Sequence, residues 1–135
     1  MAHRRSENTL HDSTEEVHLV LPARPEMVGV ARLTAASLAG VIDFTLDEIE
    51  DLKIAVAELC HQLIGPEGNG GSISLTYRLG PEFLEVTGSG TFSSDQTSSN
   101  PLSNRILGTV TDDYELDINS DQARFRLIKS RATRV

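Results

Sequence analysis

The stretch that decides the fold runs from residue 45 to residue 65 and reads TLDEIEDLKIAVAELCHQLIG. Thr45 followed by Glu48 has the spacing of a capping box, in which each side chain accepts a hydrogen bond from the other residue's backbone N–H. Gly65 and Pro66 then provide a stop signal. Between these ends, apolar residues recur at steps of three and four, which predicts an amphipathic helix with one buried stripe: Ile49, Leu52, Val56, Leu59, Cys60 and Leu63.

Shorter patterns on either side of this helix predict an α+β domain. Period-two alternation predicts a strand over residues 16–21 and hairpins over 73–87 and 114–127. Helical spacing predicts a helix over 25–40 and a short one over 102–110. The resulting order β-α-α-β-β-loop-α-β-β predicts a two-layer sandwich, with helices packed on one face of a mainly antiparallel sheet.

The rest of the chain is predicted to form two tails and one loop. Residues 1–15 are polar and without periodicity, which predicts a disordered tail, and 131–135 form a second tail. Residues 16–130 then make a single domain. Within it, residues 88–100 read GSGTFSSDQTSSN, a low-complexity composition that predicts a loop.

Charge and composition exclude several classes of function. Twelve Lys and Arg against 20 Asp and Glu give a formal net charge of −8, which argues against a direct nucleic-acid surface and against docking on anionic lipid. No apolar run approaches the roughly 20 residues that span a bilayer, and the first residues do not form a secretory signal. The single cysteine, Cys60, favours a small buried hydrophobe over a redox sensor. We expect a cytoplasmic protein without a structural metal.

The predicted central helix also carries a polar face. Asp51, Ala55, Glu58 and Gln62 recur at steps of four and three, opposite the apolar stripe. Glu58 has the chemistry to orient or deprotonate an attacking hydroxyl. The amide oxygen of Gln62 has the chemistry to ligate Mg²⁺ on a nucleotide. Ordinary solvated side chains explain the same spacing, so the pattern alone leaves the function open.

Two runs of sequence resemble a known family: LPARPEMVGVARLT over residues 21–34 and DEIEDLKIAVAELC over residues 47–60. They resemble the anti-sigma-factor serine kinases of the RsbW and SpoIIAB type, in the histidine-kinase-like ATPase superfamily. The resemblance implies the Bergerat-type ATPase fold and a homodimer that sequesters a stress- or development-type alternative sigma factor. It also implies release by an anti-anti-sigma STAS protein, which many members inactivate by phosphorylating a serine with Mg-ATP.

The resemblance implies that Glu58 is the catalytic carboxylate, but the residue one turn later, where the family has a magnesium ligand, differs in this chain. The family's helix carries Glu-x-x-x-Asn, and Gln62 stands where the asparagine is expected. One extra methylene displaces the amide oxygen by about 1.5 Å, the length of a carbon–carbon bond. Because Mg²⁺ demands near-ideal octahedral geometry, we expect Gln62 to be a poor ligand.

Two further nucleotide motifs of the family are altered. Its Asp-x-Gly-x-Gly motif, whose aspartate binds the adenine amino group, is matched by Gly88 and Gly90 without the aspartate. Its glycine-rich, phosphate-binding helix start is replaced by NPLSNRIL over residues 100–107, where Pro101 has no N–H to donate. We therefore expect ATP binding to be weak or lost, with Gln62, Gly88 and Gly90 as a remnant cofactor site.

Arg32 carries the implied partner contact. An arginine at this place on the first helix contacts both the sigma factor and the STAS protein in the resembled family, and its planar fork suits carboxylates. The sequence thus favours an anti-sigma factor with a degenerate ATP site. Two alternatives stay open. One is an active serine/threonine kinase that uses Glu58 and Mg-ATP on a STAS protein. The other is a relative that regulates a different signalling protein.

Overall fold

The computed structural model describes residues 15–91, 101–118 and 122–132. Within these ranges the elements follow the predicted order: β1 (Glu15–Pro22), a 3-10 turn (Pro25–Met27), α1 (Val28–Val41), α2 (Leu46–Ile64), β2 (Ser72–Leu79), β3 (Phe83–Thr91), α3 (Pro101–Val110), β4 (Asp113–Ile118) and β5 (Gln122–Ser130). Of the predicted tails, residues 1–14 and 133–135 lie outside the described residues and stay predictions. Glu15 is the exception at the N-terminal side, because β1 begins there. At the C-terminal side, the backbone N–H groups of Arg131 and Ala132 donate hydrogen bonds to Glu82 and Glu48.

Helix α2 is built as its sequence predicts. The backbone N–H of Glu48 donates to Thr45 Oγ1 at 3.2 Å, and the backbone N–H of Thr45 donates to Glu48 Oε1 at 2.7 Å. At the other end, Gly65 has a φ of 83°, a conformation that glycine adopts without steric cost. The capping box and the glycine stop are both confirmed.

Helix α1 lies close to the sheet because its inward residues are small. Ala31, Ala35 and Ala39 are fully buried at steps of four. The hydroxyl of Tyr77, a buried residue of β2, donates a hydrogen bond to the carbonyl oxygen of Ala31 at 2.9 Å. This bond satisfies the polar end of an otherwise apolar side chain inside the core.

In the described residues, the sheet has the strand order β1-β2-β3-β5-β4, and every neighbouring pair is antiparallel. Alternate residues of each strand face the helices and form the core with α2, among them Leu75, Val86 and Leu127. The other face carries charged side chains such as Arg78, Glu85 and Arg126, and also the exposed Val20. This confirms the predicted two-layer α+β sandwich. None of the described helices is long and apolar enough to cross a membrane.

Two expectations about local structure are wrong. Ala55, expected on the polar face of α2, is a completely buried core residue. Helix α2 packs against α1, α3, β3 and β5, so more of its surface is covered than the apolar stripe. Strand β3 continues through Gly88 to Thr91, where a loop was predicted. The low-complexity composition predicted a loop, but these residues pair with both neighbouring strands. Gly88 lies opposite Leu75 on β2 and opposite Phe125 on β5. The remainder of the predicted loop, 92–100, lies outside the described residues.

Candidate functional site

One flank of α2 brings together the polar residues that the spacing singled out. Asp51, Glu58 and Gln62 are all half-buried on this flank. The carboxylate of Asp51 lies 3.4 Å from Nζ of Lys129 on β5, so at its N-terminal end the flank is tied to the sheet. The catalytic and ligand roles of Glu58 and Gln62 stay predictions.

A groove of about 350 Å³ runs between α1 and α2, and we call it the helix groove. Arg32 lines it from α1. The other lining residues all come from α2: Glu50, Lys53, Ile54, Ala57, Glu58 and His61. The fold therefore brings the predicted partner-contact residue, Arg32, and the predicted catalytic carboxylate, Glu58, to the same groove.

Both charged and apolar side chains line the helix groove. Nζ of Lys53 lies 3.1 Å from Oε2 of Glu50, so these two charges offset each other. Arg32 is exposed, and across residues 15–91, 101–118 and 122–132 it makes no ion pair. Ile54 is 43% exposed although it lies mid-helix. An unpaired guanidinium beside an exposed apolar side chain suits contact with another protein.

Sequence reasoning missed most of this lining. It did not predict Lys53, Ile54, Ala57 or His61 as site residues. Their spacing was available as a signal, since positions 50, 53, 54, 57 and 61 follow the helical repeat on the outward side of α2. What the sequence could not supply is the position of α1, which forms the second wall.

Gly88 and Gly90 face the core from β3. A Cβ atom at Gly88 would lie 2.5 Å from Cε2 of Phe125 and 2.9 Å from Cδ2 of Leu75. At Gly90 it would lie 3.2 Å from Cγ2 of Ile73. The space that a side chain would need is thus filled by core residues, most tightly at Gly88. Packing alone accounts for that glycine, and a role for either residue in cofactor binding stays a prediction.

The other candidate reactive groups have structural explanations. Cys60 is fully buried in α2, and desolvation raises the pKa of its thiol to about 12, which keeps it protonated at neutral pH. This confirms the buried-hydrophobe interpretation of Cys60. In the part of the chain that the structure describes, no three His, Cys, Asp or Glu residues cluster in a way that could hold a metal ion.

The outer face of the sheet holds an ion-pair cluster around Glu85 of β3. Its two carboxylate oxygens accept hydrogen bonds from Arg78 of β2 and Arg126 of β5, each at 2.7 Å. Desolvation raises the pKa of Glu85, but the hydrogen bonds from Arg126 and Arg78 outweigh it, and the net pKa lies below the usual value. The cluster bridges three neighbouring strands and stabilises the sheet.

Comparison with known proteins gives one recurrent name. The serine-protein kinase RsbW of Halalkalibacterium halodurans is 38% identical over 73 residues, which cover 53% of this chain and 45% of that protein. RsbW of Bacillus subtilis is 36% identical over 80 residues, 57% of this chain and 50% of that protein. RsbW of Bacillus pumilus is 28% identical over 135 residues, 82% of this chain and 83% of that protein.

Apart from the Bacillus pumilus protein, the matched part of the chain spans about half the length of these curated relatives. No protein-family model matches the chain.

Proposed function

The chain belongs to the RsbW/SpoIIAB family, and from this premise we propose that it is an anti-sigma factor with a degenerate nucleotide site. It binds an alternative sigma factor of the stress or development type and covers surfaces that the sigma factor needs for core RNA polymerase. An anti-anti-sigma STAS protein competes for overlapping contacts. The chain acts as a homodimer in the cytoplasm and contacts neither nucleic acid nor membrane directly.

The observation that carries this proposal is Arg32 in the helix groove, which is exposed and makes no ion pair with any other described residue. A guanidinium binds a carboxylate through two parallel hydrogen bonds, so it can recognise an acidic side chain on either protein partner. If both partners place a carboxylate on Arg32, they exclude each other. This competition requires no chemistry at the nucleotide site.

The residues at the nucleotide side fit Mg-ATP poorly. Gln62 offers its amide oxygen one bond farther out than the family's asparagine, and Mg²⁺ tolerates such a displacement badly. The sequence supplies no aspartate between residues 84 and 91 for the adenine amino group, a loss worth about 1–3 kcal/mol. Pro101 begins α3 without an N–H for a phosphate. These features support weak or absent ATP binding.

Titration of purified alternative sigma factors from the source organism tests the anti-sigma proposal. We expect one of them to bind the full chain, and Arg32→Ala to weaken that binding about tenfold. Arg105→Ala is the matched control, because Arg105 is exposed on α3 and does not line the helix groove. Equal affinities of wild type and Arg32→Ala would contradict the role of Arg32.

An active serine kinase is the second candidate, because Glu58 is present on α2 and the relatives bear the name serine-protein kinase. In that case Glu58 acts as the base and Gln62 ligates Mg²⁺. Calorimetric titration with Mg-ATP separates the two candidates. We expect no saturable binding at micromolar nucleotide. Micromolar binding together with Glu58-dependent phosphate transfer to a serine of a STAS protein would establish the kinase instead.

A further inference from the structure

Arg32 depends on helix α1 for its position. Within the described residues it makes no ion pair, so no charged group of α2 or of the sheet fixes its guanidinium. Its Nη2 atom lies 4.0 Å from the place that a Cβ atom at Gly29 would take, one turn earlier on the same helix. The guanidinium therefore lies back along α1, and a displacement of α1 displaces it as well.

The core-facing side of α1 offers little resistance to such a displacement. Three of its buried residues, Ala31, Ala35 and Ala39, present only a methyl group to their neighbours, and Val28 is the other buried residue of the helix. Helices are held in register by side chains that interdigitate with the facing surface, and methyl groups do so less than larger side chains. Packing alone therefore fixes α1 weakly along its axis.

Hydrogen bonds tie α1 to other parts of the chain near both of its ends. Just after its last turn, Nη1 of Arg131 donates to the carbonyl oxygen of Ile42 at 3.4 Å, about 15 Å along the helix from Arg32. Near its first turns, the hydroxyl of Tyr77 on β2 donates to the carbonyl oxygen of Ala31 at 2.9 Å. Tyr77 is thus hydrogen-bonded to the residue that directly precedes Arg32.

We propose that Tyr77 is a positioning residue for Arg32. This inference rests on the proposed function, in which Arg32 binds a carboxylate of the sigma factor. A bidentate contact needs two N–H donors aligned with two carboxylate oxygens, so it weakens when the guanidinium shifts or tilts. The hydroxyl of Tyr77 fixes the N-terminal half of α1 against β2, and thereby the place from which Arg32 reaches into the helix groove.

The hydroxyl of Tyr77 allows positioning to be separated from packing. Tyr77 is fully buried, and phenylalanine fills the same space with the same ring but has no polar atom to satisfy in the core. The carbonyl oxygen of Ala31 is still able to accept a hydrogen bond from the backbone of its own helix. Tyr77→Phe therefore removes the hydrogen bond between β2 and α1 and keeps the apolar contacts of the ring.

A double-mutant cycle of Tyr77→Phe and Arg32→Ala tests the inference. The measurement is the affinity of the full chain for the purified sigma factor that binds wild type. We expect Tyr77→Phe to bind about fivefold more weakly when Arg32 is present. In the Arg32→Ala background the same substitution should change the affinity by less than about 1.5-fold, because no guanidinium is left to misplace.

Ile73→Val is the matched control, since Ile73 is fully buried on the same strand and loses one methyl group without losing a hydrogen bond. Each of the two substitutions should lower the midpoint of thermal unfolding by about 5 °C. Affinities are therefore measured well below both midpoints. Ile73→Val should bind the sigma factor as tightly as wild type. If it binds as weakly as Tyr77→Phe, affinity follows stability and the inference is overturned.

Wild-type affinity of Tyr77→Phe also overturns the inference. So does a loss of the same size in both backgrounds, since Tyr77 would then act independently of Arg32. In either case, weaker binding by Arg32→Ala alone leaves the proposed function standing. If Arg32→Ala binds as tightly as wild type, Arg32 is not the partner contact and both proposals fail.

Discussion

Strand β3 and the helix groove differ in how their distinctive residues are used. On β3, Gly88 lies under the ring of Phe125 and Glu85 is held between two arginines, so both residues are satisfied by contacts within the chain. In the helix groove, Arg32 has no ion pair within the described residues, and Ile54 remains 43% exposed. Contacts that stabilise the fold explain the first region, and the second is the surface that we propose for a partner.

The difference matters because both regions carried family motifs. The glycines of β3 were predicted to be the remnant of a nucleotide motif, whereas Arg32 was predicted to contact the partner proteins. The packing of Gly88 shows that a glycine can persist at such a position for the core alone. If that assignment is correct, substitutions on β3 change the free energy of unfolding, and substitutions in the helix groove change binding.

The largest expected effect is at Gly88. Gly88→Val should lower the free energy of unfolding by about 3 kcal/mol, and Gly88→Ala by about half as much, because the new atoms overlap Phe125. Denaturant unfolding followed by circular dichroism measures both values. Gly90→Ala is the milder comparison, since its nearest contact would be 3.2 Å rather than 2.5 Å.

A double-mutant cycle with Phe125→Leu tests whether the loss of stability at Gly88 comes from contact with the ring of Phe125. The smaller side chain frees space, so Gly88→Ala should cost at least 1 kcal/mol less in the Phe125→Leu background than in wild type. If Gly88→Ala leaves the stability of the wild-type chain unchanged, the packing explanation fails, and the glycine motif becomes a stronger candidate for ligand binding.

Next in size is Glu85→Gln, which should lower the free energy of unfolding at pH 7 by about 1.5 kcal/mol, because two charge-assisted hydrogen bonds are weakened. The folded-state pKa of Glu85 is depressed. Its contribution is therefore complete above the unfolded pKa of about 4.3 and is lost as the pH falls through the lower, folded pKa.

Unfolding measured between pH 7 and pH 3 checks the Glu85 prediction. The wild-type chain should lose stability towards pH 3 more steeply than Glu85→Gln. Asp117→Asn, at an exposed position on β4, should keep the wild-type pH profile. Sigma-factor binding by Glu85→Gln at pH 7 should match wild type. A large loss of binding would place a partner surface on the outer sheet face.

A smaller effect is expected from Gln62→Asn, which restores the family's magnesium ligand. We expect the affinity for Mg-ATP to rise no more than about threefold, because the adenine and phosphate contacts are also altered. Calorimetry of wild type and variant under the same conditions measures the change. A hundredfold gain would show that position 62 alone had disabled the site.

The smallest effect is expected at Gly108 in α3. A Cβ atom there would meet nothing within 4 Å, and alanine has the higher helix propensity. Gly108→Ala should therefore raise the free energy of unfolding by about 0.5 kcal/mol and leave sigma-factor binding unchanged. Denaturant unfolding distinguishes this result from the loss of stability that a tightly packed glycine would give.

The features that could be predicted from sequence are those set by neighbouring residues. The Thr45 and Glu48 capping box, the glycine stop at Gly65 and the alternation of the strands depend on spacing within a few positions, and the structure confirms them. Burial of Cys60 followed from its place beside the apolar stripe. Patterns within a few residues were therefore sufficient to predict the α+β fold class.

The features that could not be predicted depend on contacts between distant segments. Ala55 is fully buried by packing between elements, which no pattern on α2 reveals. The extension of β3 to Thr91 depends on Ile73 and Ala123 lying opposite Gly90 on the neighbouring strands. Glu58 and Arg32 share a groove only because α1 packs on α2.

The most direct test of the central claim is the affinity of the full chain for its sigma factor, measured with and without Mg-ATP. If the chain is a protein-binding module whose nucleotide site no longer operates, the two dissociation constants should agree within about twofold. Binding that appears only with Mg-ATP, or tightens tenfold or more when it is added, would contradict the account.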